Sequence, residues 1–146
     1  MEIDEQAAFW DFVLLKGLQK THPIYPVQNE RPDVRQLGRL KKAGLVKGAL
    51  DMNIDVARRG FHGLRLEFKY GYNKLSDEQV EMAGRLEREG YSVAVCYSAS
   101  EAIAELCWYL SLGEFKEFET ARAQRIEREK RKNETDKRRS VRTKHH

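Results

Sequence analysis

Three residues have the types from which a divalent-cation site with a neighbouring ammonium could be built: Asp51, Glu67 and Lys69. Asp51 opens the run D-M-N-I-D-V, and Glu67 and Lys69 close the run G-L-R-L-E-F-K. Both runs alternate strictly between apolar and polar residues, the period-2 pattern of half-buried strands. Met52, Ile54 and Val56 face one way, and Asp51, Asn53 and Asp55 the other. Leu64, Leu66 and Phe68 share one face, and Arg65, Glu67 and Lys69 the opposite one. The short Gly-containing loop between the runs predicts an antiparallel hairpin. The two apolar faces must coincide, because a one-residue slip would flip one strand. A loop centred at Arg59 then puts Asp51 opposite Glu67. A loop centred at Gly60 puts Asp51 opposite Lys69 and Asn53 opposite Glu67. Directly opposed residues have Cβ atoms roughly 5 Å apart, so in either register two carboxylates and an ammonium crowd one face. Carboxylates that close repel, and one stays protonated unless a cation lies between them. A divalent ion with oxygen ligands resolves the conflict, with Lys69 beside it.

The order acidic residue, hairpin, E-x-K resembles the PD-(D/E)xK nuclease superfamily. Further segments in the same order are similar to the virus-type replication-repair nuclease family, VRR-NUC. They are D-E-Q-A-A-F-W at 4–10, N-E at 29–30, G-R-L-K-K-A-G at 38–44, K-G-A-L-D at 47–51, A-R-R-G-F-H-G-L-R-L-E-F-K at 57–69, K-L-S-D-E-Q at 74–79 and G-Y-S-V-A-V-C at 90–96. The resemblance spans about residues 4–105, and the proline that usually precedes the aspartate is replaced by Leu50. It implies an α/β fold with a restriction-endonuclease-like core, in which a mixed central sheet carries an antiparallel catalytic hairpin flanked by helices. It also implies a nuclease using Mg²⁺ or Mn²⁺, held by Asp51, Glu67 and the Phe68 backbone carbonyl. Lys69 would orient or deprotonate the attacking water or stabilise the phosphate, with Gln79 facing it. A glutamate of the first helix can complete the metal site in this superfamily, which makes Glu5 a further ligand candidate; Glu30 is a second candidate acidic neighbour, but is read rather as an ordinary exposed loop carboxylate. Small stand-alone viral members of the family look like homodimers that resolve four-way (Holliday) DNA junctions. That implies a phage-type enzyme acting on branched DNA in a cytoplasm, the host's if the chain is viral.

Composition is compatible with such a partner. The chain has 146 residues, 40% hydrophobic and 34% charged, enough for one domain with a real core and a highly charged surface. No apolar run approaches the roughly 18 residues of a membrane span, and M-E-I-D-E lacks the basic start of a secretory signal. Cys96 and Cys107 lie in apolar surroundings and are expected to be buried free thiols of a reducing cytoplasm. Charge is uneven: residues 114–146 hold 12 Lys/Arg against 7 Asp/Glu, leaving 15 against 16 in residues 1–113. The expected organisation is a nuclease domain over 1–113 and a basic tail over 114–146.

Asp4 is expected to cap a helix reaching about Lys20, with Phe9, Phe12, Val13 and Leu15 in one stripe and Trp10, Leu14 and Leu18 extending it. In that helix Glu5 also has a purely structural use, in the favourable field of the first turn. The Pro23–Pro26 stretch argues for a loop or a short edge strand ending at Asn29-Glu30. A short basic helix follows to Gly44, with Arg35, Arg39, Lys41 and Lys42 open between phosphate contact and a merely solvated face. Ser76-Asp77-Glu78-Gln79 fits a capping box, which would occupy the Gln79 side chain. The resemblance wants that side chain at the site, and one side chain is not expected to serve both; the site is preferred. Y-S-V-A-V-C-Y reads as a central buried strand. Ser98-Ala99-Ser100-Glu101 is a second capping box, opening a helix to about Leu112. The tail is expected to run as a charged helix that frays, to be disordered from Lys137, and to offer Lys137, Arg138 and Arg139 to DNA. Arg65 is open between a cross-strand ion pair and a phosphate contact. His62, with no acidic neighbour, is expected to be structural rather than a general base. Phe9, Trp10 and Trp108 are a candidate source of dimer surface. Two rival readings remain: a module that holds branched DNA without cutting it, and an interaction protein whose polar hairpin face is merely solvated.

Overall fold

The alternating runs become β2 (Met52–Ile54) and β3 (Leu64–Phe68), antiparallel neighbours joined by a tight turn. The structure, a computed structural model, describes residues 2–27, 38, 39, 42, 44, 48–113 and 118–144. At the hairpin tip Arg59 and Gly60 have φ of 53° and 82°, and Phe61 N–H donates to the Arg58 carbonyl. Positive φ at both central residues is the type I′ combination, whose twist matches that of the strands. Arg59 is held in this strained region by its Nε, which donates to the Trp108 carbonyl at 2.7 Å.

Around the hairpin the chain runs α1 (Glu2–Leu15), α2 (Leu18–Thr21), β1 (Ile24–Pro26), β2, β3, α3 (Asp77–Arg88), β4 (Ser92–Cys96), α4 (Ala99–Tyr109) and α5 (Glu119–Lys144). The sheet order is β1-β2-β3-β4, antiparallel except for the parallel β3–β4 pair. That parallel pair requires a crossover, and α3 provides it. One sheet face carries Met52, Ile54, Leu64, Leu66, Phe68, Ala94 and Cys96, packed with Phe9 and Val13 of α1 and Ala102, Ile103 and Leu106 of α4. Phe9 and Phe68 meet at 5.7 Å between ring centroids, and a buried aromatic in such a place is worth roughly 3–5 kcal/mol against alanine. The opposite face holds Asn53, Arg65 and Glu67 in register with Val93 and Val95, and the site lies there.

Four expectations are corrected. The first helix does not reach Lys20: Gly17, at φ 66°, ends it, which re-aims Leu18 into the core and leaves Leu15 82% exposed. Among the described residues β4 is at the end of the sheet, not its centre; its apolar run reflects helices on both faces rather than strands on both sides. The helix from Ser98 stops at Tyr109, with Ser111 in the left-handed region and Leu112 N–H bonded back to the Cys107 carbonyl. The C-terminal segment is helical through Lys144 rather than disordered from Lys137.

That last helix also docks. Glu105, 2% exposed on α4, accepts from Arg122 Nε at 3.0 Å and from Arg125, itself 3% exposed, at 2.5 Å. Arg128 pairs with Glu101 and lies 4.6 Å over the Tyr97 ring. The second capping box is therefore only half made: Ser98 Oγ accepts from Glu101 N–H, but the Glu101 carboxylate is turned to Arg128. Residues 131–141 are exposed on every side, so α5 leaves the domain near Lys132.

Candidate active site

Register decides the site. Met52 pairs with Leu66, so Asp51 stands opposite Glu67, the first of the two registers that the alternation allowed. Each carboxylate is then fixed by the other strand's backbone. Asp51 Oδ2 accepts from Phe68 N–H at 2.8 Å, and Glu67 Oε2 accepts from Asp51 N–H at 3.1 Å. Leu50, where the family pattern has proline, is buried at 3% exposure and anchors the start of β2. Lys69 follows β3 directly; its N–H donates to the Cys96 carbonyl, and its Nζ lies 3.8 Å from Glu67 Oε1.

Gln79 does what one side chain was not expected to do. Its Nε2 donates to Glu67 Oε1 at 2.8 Å, while its Oε1 accepts from Ser76 N–H at 3.0 Å. Ser76 Oγ accepts in turn from Gln79 N–H, so the capping box is complete and still reaches the site. The carboxamide has two ends, one for each task. Gly48, at φ 91°, lets α3 come this close: a Cβ there would stand 2.4 Å from the Glu78 carbonyl oxygen.

Burial sets the electrostatics. Glu67 is 2% exposed, and its carboxyl is pushed up to about 8, first by desolvation and then by the Asp51 charge, with Lys69 pulling the other way. A buried Glu67 carboxyl that holds its proton beside the Asp51 side chain is a donor set that a divalent cation would neutralise. Their hard oxygens suit Mg²⁺ or Mn²⁺. Among the described residues no third Asp, Glu, His or Cys joins the pair.

The remaining site candidates are placed as follows. Glu5 is turned to α4, where its carboxylate accepts from Ala99 N–H, so its structural use is as a cap on another helix rather than on its own. Arg65 makes the cross-strand ion pair, with Asp55 at 2.8 Å, and lies 4.6 Å over the Tyr91 ring; its side chain is 13% exposed. His62 is exposed and lies against the Gly90 turn, as a structural residue would. Arg39 and Lys42 are exposed; Glu30, Arg35 and Lys41 lie outside the described residues. Lys137, Arg138 and Arg139 are exposed on the outer part of α5. Two residues at the site's edge escaped the sequence reading. Glu2 accepts from Tyr70 N–H and from Asn73 Nδ2, both at 3.2 Å, holding the loop after Lys69. Tyr72 in that loop is fully exposed; the signal was Y-G-Y directly after the catalytic lysine candidate.

No protein-family model matches the chain, and no curated protein matches it. Among solved structures the chain is similar to a VRR_NUC domain protein at 30% identity, with a TM-score of 0.51, over 61% of this chain and 68% of that one. The chain belongs to the VRR_NUC family of nuclease domains, with a restriction-endonuclease-like fold.

Proposed function

We propose that this chain is a Mg²⁺- or Mn²⁺-dependent endodeoxyribonuclease that cuts branched DNA and resolves four-way junctions. The observation that carries the reading is the mutual anchoring of Asp51 and Glu67 across β2 and β3, with Lys69 Nζ 3.8 Å from the buried carboxylate. Asp51, Glu67 and the Phe68 carbonyl would hold the ion. When bound, it supplies Lewis-acid activation of water and charge neutralisation at the phosphate. The protein's own contribution is positional. The crossed backbone bonds hold both carboxylates still before any ligand arrives, so no reorganisation is needed at the moment of reaction. Gln79 fixes one Glu67 oxygen, and Lys69 holds an ammonium where charge would build on the phosphate or where a water would lose its proton.

DNA would be held by the basic outer part of α5. Residues 133–144 carry five Lys/Arg against two Asp/Glu, and its charges would contact the sugar-phosphate backbone. A junction needs two related cuts, and a C2 homodimer offers two related sites. Phe9, Trp10 and Trp108 do not form an open patch: Phe9 is buried, and Trp108 lies between the Arg59 and Arg122 guanidinium groups at 4.3 and 3.7 Å. The dimer surface favoured instead is on α1, where Ile3, Ala7 and Leu14 are exposed and, with half-buried Trp10, follow helical spacing along one side. Two buried free cysteines suit a reducing cytoplasm; among the described residues no helix is long and apolar enough to cross a membrane.

The test is cleavage of a continuous duplex, a flap and a four-way junction of equal length in Mn²⁺. Preferential, paired cutting of the junction supports the resolvase. Equal cutting of all three makes the chain a general flap and duplex nuclease. Binding without cutting makes it a branched-DNA module, a reading that the intact Asp51, Glu67 and Lys69 set weighs against.

A further inference from the structure

The loop after Lys69 is built more firmly than a connection needs. Asn73 N–H donates to the Tyr70 carbonyl at 3.1 Å, closing a turn with Gly71 at φ 59°. Glu2 Oε1 receives both Tyr70 N–H and Asn73 Nδ2, and Tyr97 Oη donates to the Asn73 carbonyl at 2.7 Å. Helix α1 and the end of β4 thus brace the turn from two sides. What this braced turn displays is an aromatic ring: Tyr72 is 101% exposed, with Tyr70 beside it at 54%.

A single exposed apolar side chain is ordinary. Three features set this one apart. Its backbone is pre-organised, so its position costs no ordering on binding. It stands three residues from Lys69 in the chain, on the turn that begins directly after it. A cation adjoins it in the chain: Lys74, two residues on, is exposed. An exposed ring on a braced backbone beside an exposed lysine can stack on a nucleobase while a neighbouring phosphate is neutralised.

We infer that Tyr72 is a specificity-determining contact, stacking on an unpaired or unstacked base next to the cut and so selecting DNA with a branch point over continuous duplex. The inference rests on reading Asp51, Glu67 and Lys69 as a nuclease centre. In a continuous duplex that base is stacked on both sides and has no free face. At a junction, flap or splayed end it has one.

The test uses the full chain without metal. It compares wild type, Tyr72→Ala, Tyr72→Phe and Tyr72→Trp on a four-way junction and on a continuous duplex, each carrying 2-aminopurine near the branch or at the matching position. Stacking should quench the probe on the junction with wild type, Tyr72→Phe and Tyr72→Trp. Tyr72→Ala should lose the quench and bind the junction roughly ten- to a hundredfold more weakly. Its affinity for the duplex and its salt dependence should be unchanged, since no charge is removed. A Tyr72→Ala variant that keeps both the quench and the junction preference overturns this proposal alone. A wild-type chain that binds neither DNA overturns the nuclease reading and the proposal with it. Conversion of a dimer to a monomer by Tyr72→Ala would assign the ring to a contact between copies, and that also overturns it.

Discussion

Gln79 donates to Glu67 Oε1 at 2.8 Å while the same carboxamide accepts from the Ser76 backbone at 3.0 Å. The first turn of α3 and the buried carboxylate of β3 are therefore one mechanical unit. Gln79→Ala should cost about 1 kcal/mol as a lost cap and should also lower cleavage, because one Glu67 oxygen loses its fixed donor. Ser76→Ala removes the hydroxyl end of the cap but leaves the Gln79–Glu67 bond, so it should cost similar stability with cleavage near wild type. Thermal denaturation and cleavage rates on both variants separate the roles. Equal effects in both readouts would reduce Gln79 to a cap.

The Glu67 proton makes a pH prediction. Its carboxyl is pushed from 4.5 to about 8 by burial and by Asp51. Between those values the metal-free folded chain keeps a proton that the unfolded chain has released. Stability contributed by this group therefore falls as pH rises through that window, by up to about 1.4 kcal/mol per unit. Glu67→Gln should flatten the decline and be more stable than wild type near pH 8. Mn²⁺ must displace that proton, so its affinity for wild type should rise with pH and level off near 8. Calorimetric titrations across pH 6 to 9 would show both the rise and the plateau; a pH-independent affinity would remove the shared proton from the account.

The C-terminal helix can be cut at two places with opposite expectations. Ending the chain after Lys132 removes the exposed basic part and leaves the docked part. DNA affinity should fall most at low salt, and the log–log salt slope should flatten by about 0.9 per lost phosphate contact, with the melting temperature nearly unchanged. Ending it after Gly113 removes the docked part too, with Arg122 and Arg125, and uncovers Glu105 on α4, so the melting temperature should fall as well. An unchanged salt slope in the shorter cut would mean that the outer helix is not a DNA arm.

The proposed dimer predicts that Ile3→Glu with Leu14→Glu gives a monomer with an intact core, since both side chains are exposed, at 69% and 46%. Light scattering at micromolar concentration would show it. A wild-type chain already at one-chain mass would remove the dimer and weaken the junction assignment.

The hairpin was legible because its alternation repeats over two strands, and it narrowed the register to two choices, one of which the fold adopts. What escaped has physical reasons. The helix break at Gly17 lies inside a continuous apolar stripe, and one glycine does not announce a left-handed turn. Helix α5 docks through Glu105, Arg125 and Arg122, so it carries none of the apolar periodicity that marks a packed helix. Gln79 was read as a contest because a sequence offers each side chain as a single unit, whereas a carboxamide has a donor end and an acceptor end. Glu5 and Glu2 met partners 94 and 68 residues away, at Ala99 and Tyr70, which no local pattern encodes.

The central claim is that Asp51 and Glu67 form a metal-binding pair on which Lys69 acts without being a ligand. The most direct measurement is the single-turnover rate of Lys69→Ala on a four-way junction in saturating Mn²⁺, relative to wild type. The account predicts a loss of at least about a hundredfold, the usual contribution of a positioned acid–base group, with Mn²⁺ affinity retained. A variant cutting within about tenfold of wild type would contradict it.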